Sequence, residues 1–490
     1  MKAWSKFVIP VALFALVLSG CSFGGGKKDL DKNQESTLRV MYYDEGSFFQ
    51  EYGMVFSALY PNIDIEVINN RSMYTEETKD YDAALVKFME EKKPDIVMLS
   101  SDQYKKLAMD GKLYELDSVI EKEKYDTEGL VPGMLDYLRE QGGGKIFGFS
   151  PSFYSQVLFY NKDIFDEYKI EYPTDRMSWN EVIQLARRFP TEGEPKERIY
   201  GLKMGYNEDL FDIASTFASS EGVSYVNASQ KKMTINSDSW RNAFQNALDA
   251  INSKALFFES SMYSEDGNMA MGSTYEDYLL RDPFVSGRLA MAIGDNYYIN
   301  QIKQALENEK IKDQVVKNWD LVTVPVGQQN PDQSTMMGFN NLFSISADSP
   351  NKEAAWQFLS YITSDEFSRV KSKSNNYNGM PIRTKYIKDE EGHNYAAFYN
   401  LKPSTFNSYK DFEKLPENFW MEFRTATSEE LQKVKDNTQS IDEALDILQI
   451  RGQEMLEKES PAAPGGAEPA NEVNSDSAGE SDSVSVEVAR

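Results

Sequence analysis

The residues of this chain best suited to chemistry are carboxylates set beside hydroxyls and aromatic rings. Asp44 and Glu45 close an alternating apolar run, and Ser100, Ser101 and Asp102 close a continuous one. A carboxylate accepts hydrogen bonds from a polyhydroxylated molecule, and a serine hydroxyl both donates and accepts, so such groups can bind without reacting. Adjacent acids could also act as an acid–base pair. Cleavage of a glycosidic bond, however, needs cleft carboxyls about 5–9.5 Å apart, which neighbours on one turn rarely provide. Phe153 and Tyr154 lie between two short apolar runs, where aromatic faces could line a cleft. The chain has one cysteine, Cys21, and one histidine, His393. That excludes an internal disulfide framework and removes most routes to a histidine-based metal site or catalytic triad. No HExxH, CxxC or phosphate-binding glycine motif appears, so no cofactor, metal site or catalytic residue is expected.

The elements that must position these residues alternate along the chain. Leu38–Tyr43 alternates as a strand, and Ser47 is placed to cap a helix whose Phe48, Phe49, Tyr52, Phe56 and Leu59 share a face. Ile63, Ile65 and Val67 form a second strand pattern. A helix carrying Ala84, Leu85, Phe88 and Met89 then precedes Pro94 and the continuous apolar strand Ile96–Leu99. Strand, helix, strand, helix, strand predicts a parallel sheet with crossover helices. Ligands of such sheets gather beyond the carboxyl ends of the strands, which places Asp44–Glu45 and Ser100–Ser101–Asp102 at the candidate site. Gly142–Phe165 is the stretch around which the chain is organised. Within it, Ile146–Phe149 and Val157–Tyr160 read as two buried strands on either side of the turn-prone Ser150–Pro151–Ser152. Ser178 with Glu181, and Ser440 with Glu443, spell capping boxes that open helices, the first running to about Phe189.

At 490 residues the chain is too long for one ordinary core, so two lobes are expected. Its formal net charge of −26 argues against nucleic acid as a partner. The first residues, 1–20, carry Lys2 and Lys6 and then an apolar run from Phe7 to Leu18. This is the build of a secretory signal peptide, too short to span a bilayer about 30 Å thick. Leu18–Ser19–Gly20–Cys21 resembles a bacterial lipobox, which implies a diacylglycerol thioether on Cys21 and a lipidated tether over 21–36. Residues 460–490 are rich in Pro, Ala, Gly, Ser and Glu, and read as a disordered acidic tail.

Several ordered motifs resemble the bacterial extracellular solute-binding proteins of family 1, the maltose-binding-protein-like receptors of ABC sugar importers. They are Pro94–Asp95–Ile96 with Gly111, Leu113 and Leu116; Lys145–Phe165; Phe284–Gly294; Ser349–Phe367; and Gly379–Arg383. The resemblance covers roughly Thr37–Lys458. The resemblance implies an α/β fold of the periplasmic-binding-protein type II class, two α/β lobes joined by multiple crossovers with a ligand cleft between them. The first lobe is 37–150 with 339–385, and the second 151–338 with 386–459. Asp102 falls where relatives accept hydroxyl protons, its other reading being the N-cap of a helix near Gln103–Met109. Asp44, Glu45 and Ser101 are implied contacts at the strand ends, Asp44 and Glu45 being otherwise a turn and first-helix charges. Tyr154 matches a binding position at the crossover. Asp295, Asn296 and Tyr298 match a ligand-facing loop, although the tryptophan many relatives carry there is missing. Phe339 and Asn340 either touch ligand or form the connection between lobes. Arg383 reads as an ion-pair partner.

The resemblance implies a monomeric, lipid-anchored receptor on the extracytoplasmic face of the cell membrane. Its partners are a small-molecule ligand, an oligosaccharide or related polyol, and the membrane permease subunits of an ABC importer. A carbohydrate-active enzyme, or a sensory or structural lipoprotein on the same scaffold, remain the alternatives.

Overall fold

A computed structural model describes residues 35–458 apart from 76–77, 79, 195–196, 263–273, 374–378, 389–390 and 409–411. The expected signal peptide, lipidated Cys21 and acidic tail lie outside the described residues. By contacts the chain divides into two compact units, one running through Gly222 and including Asn246–Asn407, the other built from Val223–Gln245 and the chain from Ser408 onward.

The first unit holds two five-stranded sheets. One has the order Ile63–Asn69, Ser36–Tyr42, Ile96–Leu99, Leu342–Ile345, Gly148–Phe149. Its first three strands run parallel, and Leu342–Ile345 returns antiparallel to both neighbours. The second has the order Leu256–Phe257, Tyr200–Lys203, Leu289–Gly294, Val157–Asn161, Trp319–Thr323. Again three strands are parallel, and Val157–Asn161 is antiparallel to both of its neighbours. Ile96–Leu99 and Val157–Asn161 are buried along their whole length, as strands packed on both faces must be. Between the sheets, three chain crossings pair with one another: Met337–Gly338 and Met380–Pro381 both lie antiparallel to Ser152–Ser155. This is the type II periplasmic-binding-protein fold, with two α/β lobes joined by multiple crossovers.

The second unit is a helix pair, Phe419–Lys435 and Ile441–Glu457, against a two-stranded ribbon of Val226–Asn227 and Lys232–Met233. Tyr225 stacks flat on Phe423 with centroids 5.4 Å apart. The Glu430 carboxylate, nearly buried, is answered by Lys433 at 2.9 Å and Arg451 at 3.1 Å.

Several expectations are corrected in detail. Asp44, not Ser47, caps the first helix: its extended backbone lets the carboxylate accept from Ser47 N at 2.8 Å, so the helix starts at Glu45. That helix is interrupted by a π-helical turn over Phe49–Gly53, which sends Phe48, Tyr52 and Phe56 into the core and leaves Leu59 exposed. Phe153 is buried in the crossover, and only Tyr154 of that pair is exposed. The helix opened by Ser178 ends at Ala186 rather than Phe189. Both capping boxes form as read.

Asp95, which the motif Pro94–Asp95–Ile96 singles out, is structural. Fully buried, it accepts from Arg39 N at 2.9 Å, Ser349 Oγ at 2.6 Å and Asn351 Nδ2 at 3.2 Å, tying the first strand to the helix Lys352–Ile362. Asp95→Ala strands these donors, so it is expected to cost about 2–4 kcal/mol. A shift in the denaturant midpoint at unchanged slope checks this, and a near-parental midpoint would refute it.

Candidate functional site

The parallel strands of the first sheet end close together, because Tyr42 is in register with Asn69 and Val40 with Ile96. Asp44 and Glu45 follow the end of the first strand in sequence, and Ser101 and Asp102 follow the end of Ile96–Leu99. Asp44 caps its helix and also accepts from Arg71 Nη2 at 3.1 Å, joining the ends of two neighbouring strands. Ser47 N and its hydroxyl hold the Asp44 carboxyl below the ordinary carboxylate range, and Arg71 adds to this. Glu45 is exposed in the first helical turn.

Ser101 and Asp102 open the helix Ser101–Met109, whose cap is Ser100; Gln103 returns the bond, completing a capping box. The capping role considered for Asp102 is therefore taken by Ser100, one residue before the helix begins. Ser101 Oγ accepts from the Tyr137 hydroxyl at 2.8 Å, and the ring of Tyr137 lies 5.5 Å from that of Phe339. Asp102 is exposed, with Asn407 Nδ2 at 3.3 Å from its Oδ2.

Tyr154, 42 % exposed, pairs with Gly338 in the crossover sheet. A Cβ at position 338 would stand 2.5 Å from the Tyr154 hydroxyl, so glycine there gives the ring its place. Phe339 is buried, whereas Asn340 is exposed and its carbonyl accepts from Ser150 Oγ at 2.6 Å.

In the second sheet the corresponding edge carries Lys203, Gly294 and Val157. The expected loop Asp295–Tyr298 is instead the start of the helix Asn296–Glu307, capped by Asp295 through Tyr297 N at 2.9 Å and Tyr298 N at 3.3 Å. The difference has a simple cause: an Asp directly after a strand-ending glycine is a helix N-cap by preference. Asn296 is half-buried at the helix start. Tyr298 turns into the core, its ring edge-on to Phe159 at 5.0 Å and its hydroxyl donating to Asp282 Oδ1 at 2.6 Å. Burial lifts that hydroxyl well above the usual tyrosine range, so it stays a donor.

Sequence reasoning passed over several residues at these edges. Tyr43, Tyr74 and Tyr81 are exposed, the rings of Tyr74 and Tyr81 lying 5.8 Å apart. Tyr43 sits next to Asp44 in sequence and feels the Tyr74 phenol electrostatically. Lys203 bridges Glu259 at 2.7 Å and Asp282 at 3.0 Å. Burial alone would lower its pKa, but the two carboxylates outweigh that and raise it. Among the described residues no group of three or more His, Cys, Asp or Glu could hold a metal ion, and no helix is long and apolar enough to cross a membrane. The surface indentation lined by Arg187, Phe189, Thr191 and Ser253 lies apart from this edge. Arg198, which bonds the carbonyls of Thr191 and Lys254, puts it at the amino-terminal end of Tyr200–Lys203.

The arrangement offers hydrogen-bonding groups and exposed aromatic faces at the strand ends. It suits the capture of a molecule with apolar faces and polar edges.

Known proteins share this fold. The model of bacterial extracellular solute-binding proteins matches residues 42–367, which include every candidate contact and end before Arg383. Among solved structures, an extracellular solute-binding protein family 1 member from Alicyclobacillus acidocaldarius superimposes with a TM-score of 0.59 at 13 % identity, covering 87 % of this chain and 99 % of the other. The sugar-binding protein MalE from Xanthomonas citri gives 0.57 at 17 % identity, covering 86 % and 97 %. An ABC substrate-binding protein from Listeria monocytogenes in complex with cycloalternan gives 0.50 at 20 % identity, covering 86 % and 99 %.

The depressed pKa of Asp44 carries a sign. A carboxyl held lower in the folded chain than in the unfolded one stabilises the fold above the unfolded pKa, near 4, and loses that contribution as pH falls through the folded value. Asp44→Asn is therefore expected to flatten the acid limb of the stability curve below about pH 4 without changing its slope near neutrality. Melting temperatures of both proteins between about pH 2 and 7 check it, and parallel curves throughout would refute it.

Proposed function

The chain belongs to the bacterial extracellular solute-binding protein family, and from that premise we propose that it is the lipid-anchored substrate-binding component of an ABC importer for an oligosaccharide or related polyol. The observation that carries the reading is the group of exposed tyrosines Tyr43, Tyr74 and Tyr81 beside the Asp44–Arg71 pair, at the carboxyl ends of parallel strands. A pyranose ring presents apolar C–H faces and a rim of hydroxyls. Flat rings cover the first and fixed carboxylates and amides accept or donate to the second. These tyrosines supply the stacking surface that Asp295–Tyr298, lacking tryptophan, does not.

Within this reading Asp44, Ser101, Asp102 and Tyr154 contact ligand from the first lobe and its crossover, and Asn296 contacts it from the second. Glu45, Asp295 and Asn340 line the rim, while buried Tyr298 and Phe339 support the contacting groups from behind. The lobes are 37–150 with 339–385 and 151–338 with 386–459, and they close on the ligand as hinged binding proteins do. Fold relatives described as sugar-binding and as holding cycloalternan support a saccharide ligand. Cys21 supplies the anchor that keeps the receptor beside its permease subunits at the outer face of the membrane.

A thermal-shift screen of mono- and oligosaccharides, followed by calorimetric titration of the best stabiliser, tests this. Asp102→Ala leaves a ligand hydroxyl without its partner and should weaken binding roughly 5- to 150-fold. Tyr74→Ala should cost about 2- to 10-fold. The sugar recovered after prolonged incubation should be chemically unchanged. Failure of every saccharide to stabilise the protein would end the sugar reading, and a cleaved product would end the receptor reading. The anchor is tested separately: Cys21→Ala, which removes the chain's sole thiol, is expected to abolish incorporation of a tagged fatty acid, and persistent labelling would exclude Cys21 as the site.

A further inference from the structure

The chain from Lys402 to Asn407 is a strap with a partner on each side. On one side Lys402 and Pro403 pair in parallel with Gln333 and Ser334, just before the Met337–Gly338 crossover. Lys402 N donates to the Asp332 carbonyl and Ser404 N to the Ser334 carbonyl, each at 2.9 Å. On the other side three strap residues reach three acids of the first lobe. Lys402 Nζ lies 3.2 Å from Asp136 Oδ2, Thr405 Oγ1 donates to Glu140 Oε1 at 2.6 Å, and Asn407 Nδ2 donates to Asp102 Oδ2 at 3.3 Å.

The seat is shaped for this segment. Gly133, at φ +79, precedes the helix Met134–Gln141, and a Cβ there would stand 2.9 Å from Lys402 Cγ. Asp136 and Glu140 are one helical turn apart and would repel each other on an open face, so the Lys402 ammonium offsets a like-charge pair. The same helix turns Tyr137 inward to hold Ser101. Each strap contact is exposed and weak alone, but the three share one short segment and break together. Asn407 also places an amide donor on the very carboxylate offered to a ligand.

We propose that Lys402–Asn407 is a latch that sets the resting relation of the two sheets, with Asn407 as an internal competitor for the Asp102 carboxylate. The strap ties the chain entering one crossover to the helix behind the first-lobe site, so the lobes cannot move about the crossovers without shifting it. The competition rests on the ligand role proposed for Asp102; the latch does not.

The full chain carrying Cys21→Ser, with spin labels at Lys87→Cys and Lys317→Cys on the two lobes, provides the ligand-free test. Both lysines are well exposed. The combined variant Lys402→Ala, Thr405→Ala, Asn407→Ala should shift and broaden the dipolar distance distribution, with the double variant Thr405→Val, Asn407→Ala as the milder version should the triple fail to fold. Distributions superimposable on the parent's overturn the latch. Competition is read by calorimetry with maltotriose: Asn407→Ala should tighten binding about two- to fivefold, and not at all in an Asp102→Ala background. An unchanged affinity in Asn407→Ala overturns competition. If maltotriose binds no version, the sugar reading suffers while the distance distributions still decide the latch.

Discussion

Everything at the candidate site hangs on three chain crossings that hydrogen-bond to one another. Ser152–Ser155 is the middle strand, with Met337–Gly338 on one side and Met380–Pro381 on the other. Three separate linkers could flex independently, whereas a three-stranded ladder bends only as a unit, because twisting one strand away breaks the bonds of its neighbour. The ladder is fixed to the first lobe through Arg383, buried immediately after it, which donates to the carbonyls of Thr363 and Asp126 and pairs with the Asp126 carboxylate at 2.8 Å. That is the ion-pair role its sequence context implied. The same ladder carries Tyr154, exposed, so the ring proposed to meet ligand and the chain crossings belong to a single element.

The charges near the strand ends stand in pairs rather than as open carboxylates. Asp44 is met by Arg71, and Lys203 sits between Glu259 and Asp282. Paired groups of this sort hold their positions before any ligand arrives, which lowers the ordering cost of binding. Asp102 differs in being met by a neutral amide, that of Asn407. A hydrogen bond from an amide to an exposed carboxylate is easily exchanged for one from a ligand hydroxyl, whereas an ion pair is not.

Patterns with one physical solution were legible in the sequence. Continuous apolar runs bounded by Pro or Ser became buried strands at Ile96–Leu99 and Val157–Asn161, and Ser178–Glu181 and Ser440–Glu443 became capping boxes. Choices among equivalent residues were not. Asp44 and Ser47 are both good caps, as are Ser100 and Asp102, and only the backbone entry angle decides between them. Tyr43, Tyr74 and Tyr81 escaped notice because isolated aromatics at irregular spacing look like core. The available signal was their company: Tyr43 adjoins Asp44, and Tyr74 follows Arg71 by three residues. Lys203 gave no signal at all, since nothing local announces acids 56 and 79 residues away.

The π-helical turn explains how the first strand end and the crossover are kept in step. An extra residue within Phe49–Gly53 lets Phe48, Tyr52 and Phe56 all reach the core although the helix must also start at Glu45, after its cap Asp44. Tyr52 lies with its ring stacked on Phe367 at 5.8 Å, and burial lifts its hydroxyl well above the usual tyrosine range. Asn341 has φ 58, a left-handed conformation that asparagine tolerates better than most residues, and it is the last residue before Leu342–Ile345. Asp44, at the start of the same helix, is held to the strand end by Arg71. The π turn lies between these two points, Asp44 at the helix start and Tyr52 within the turn itself.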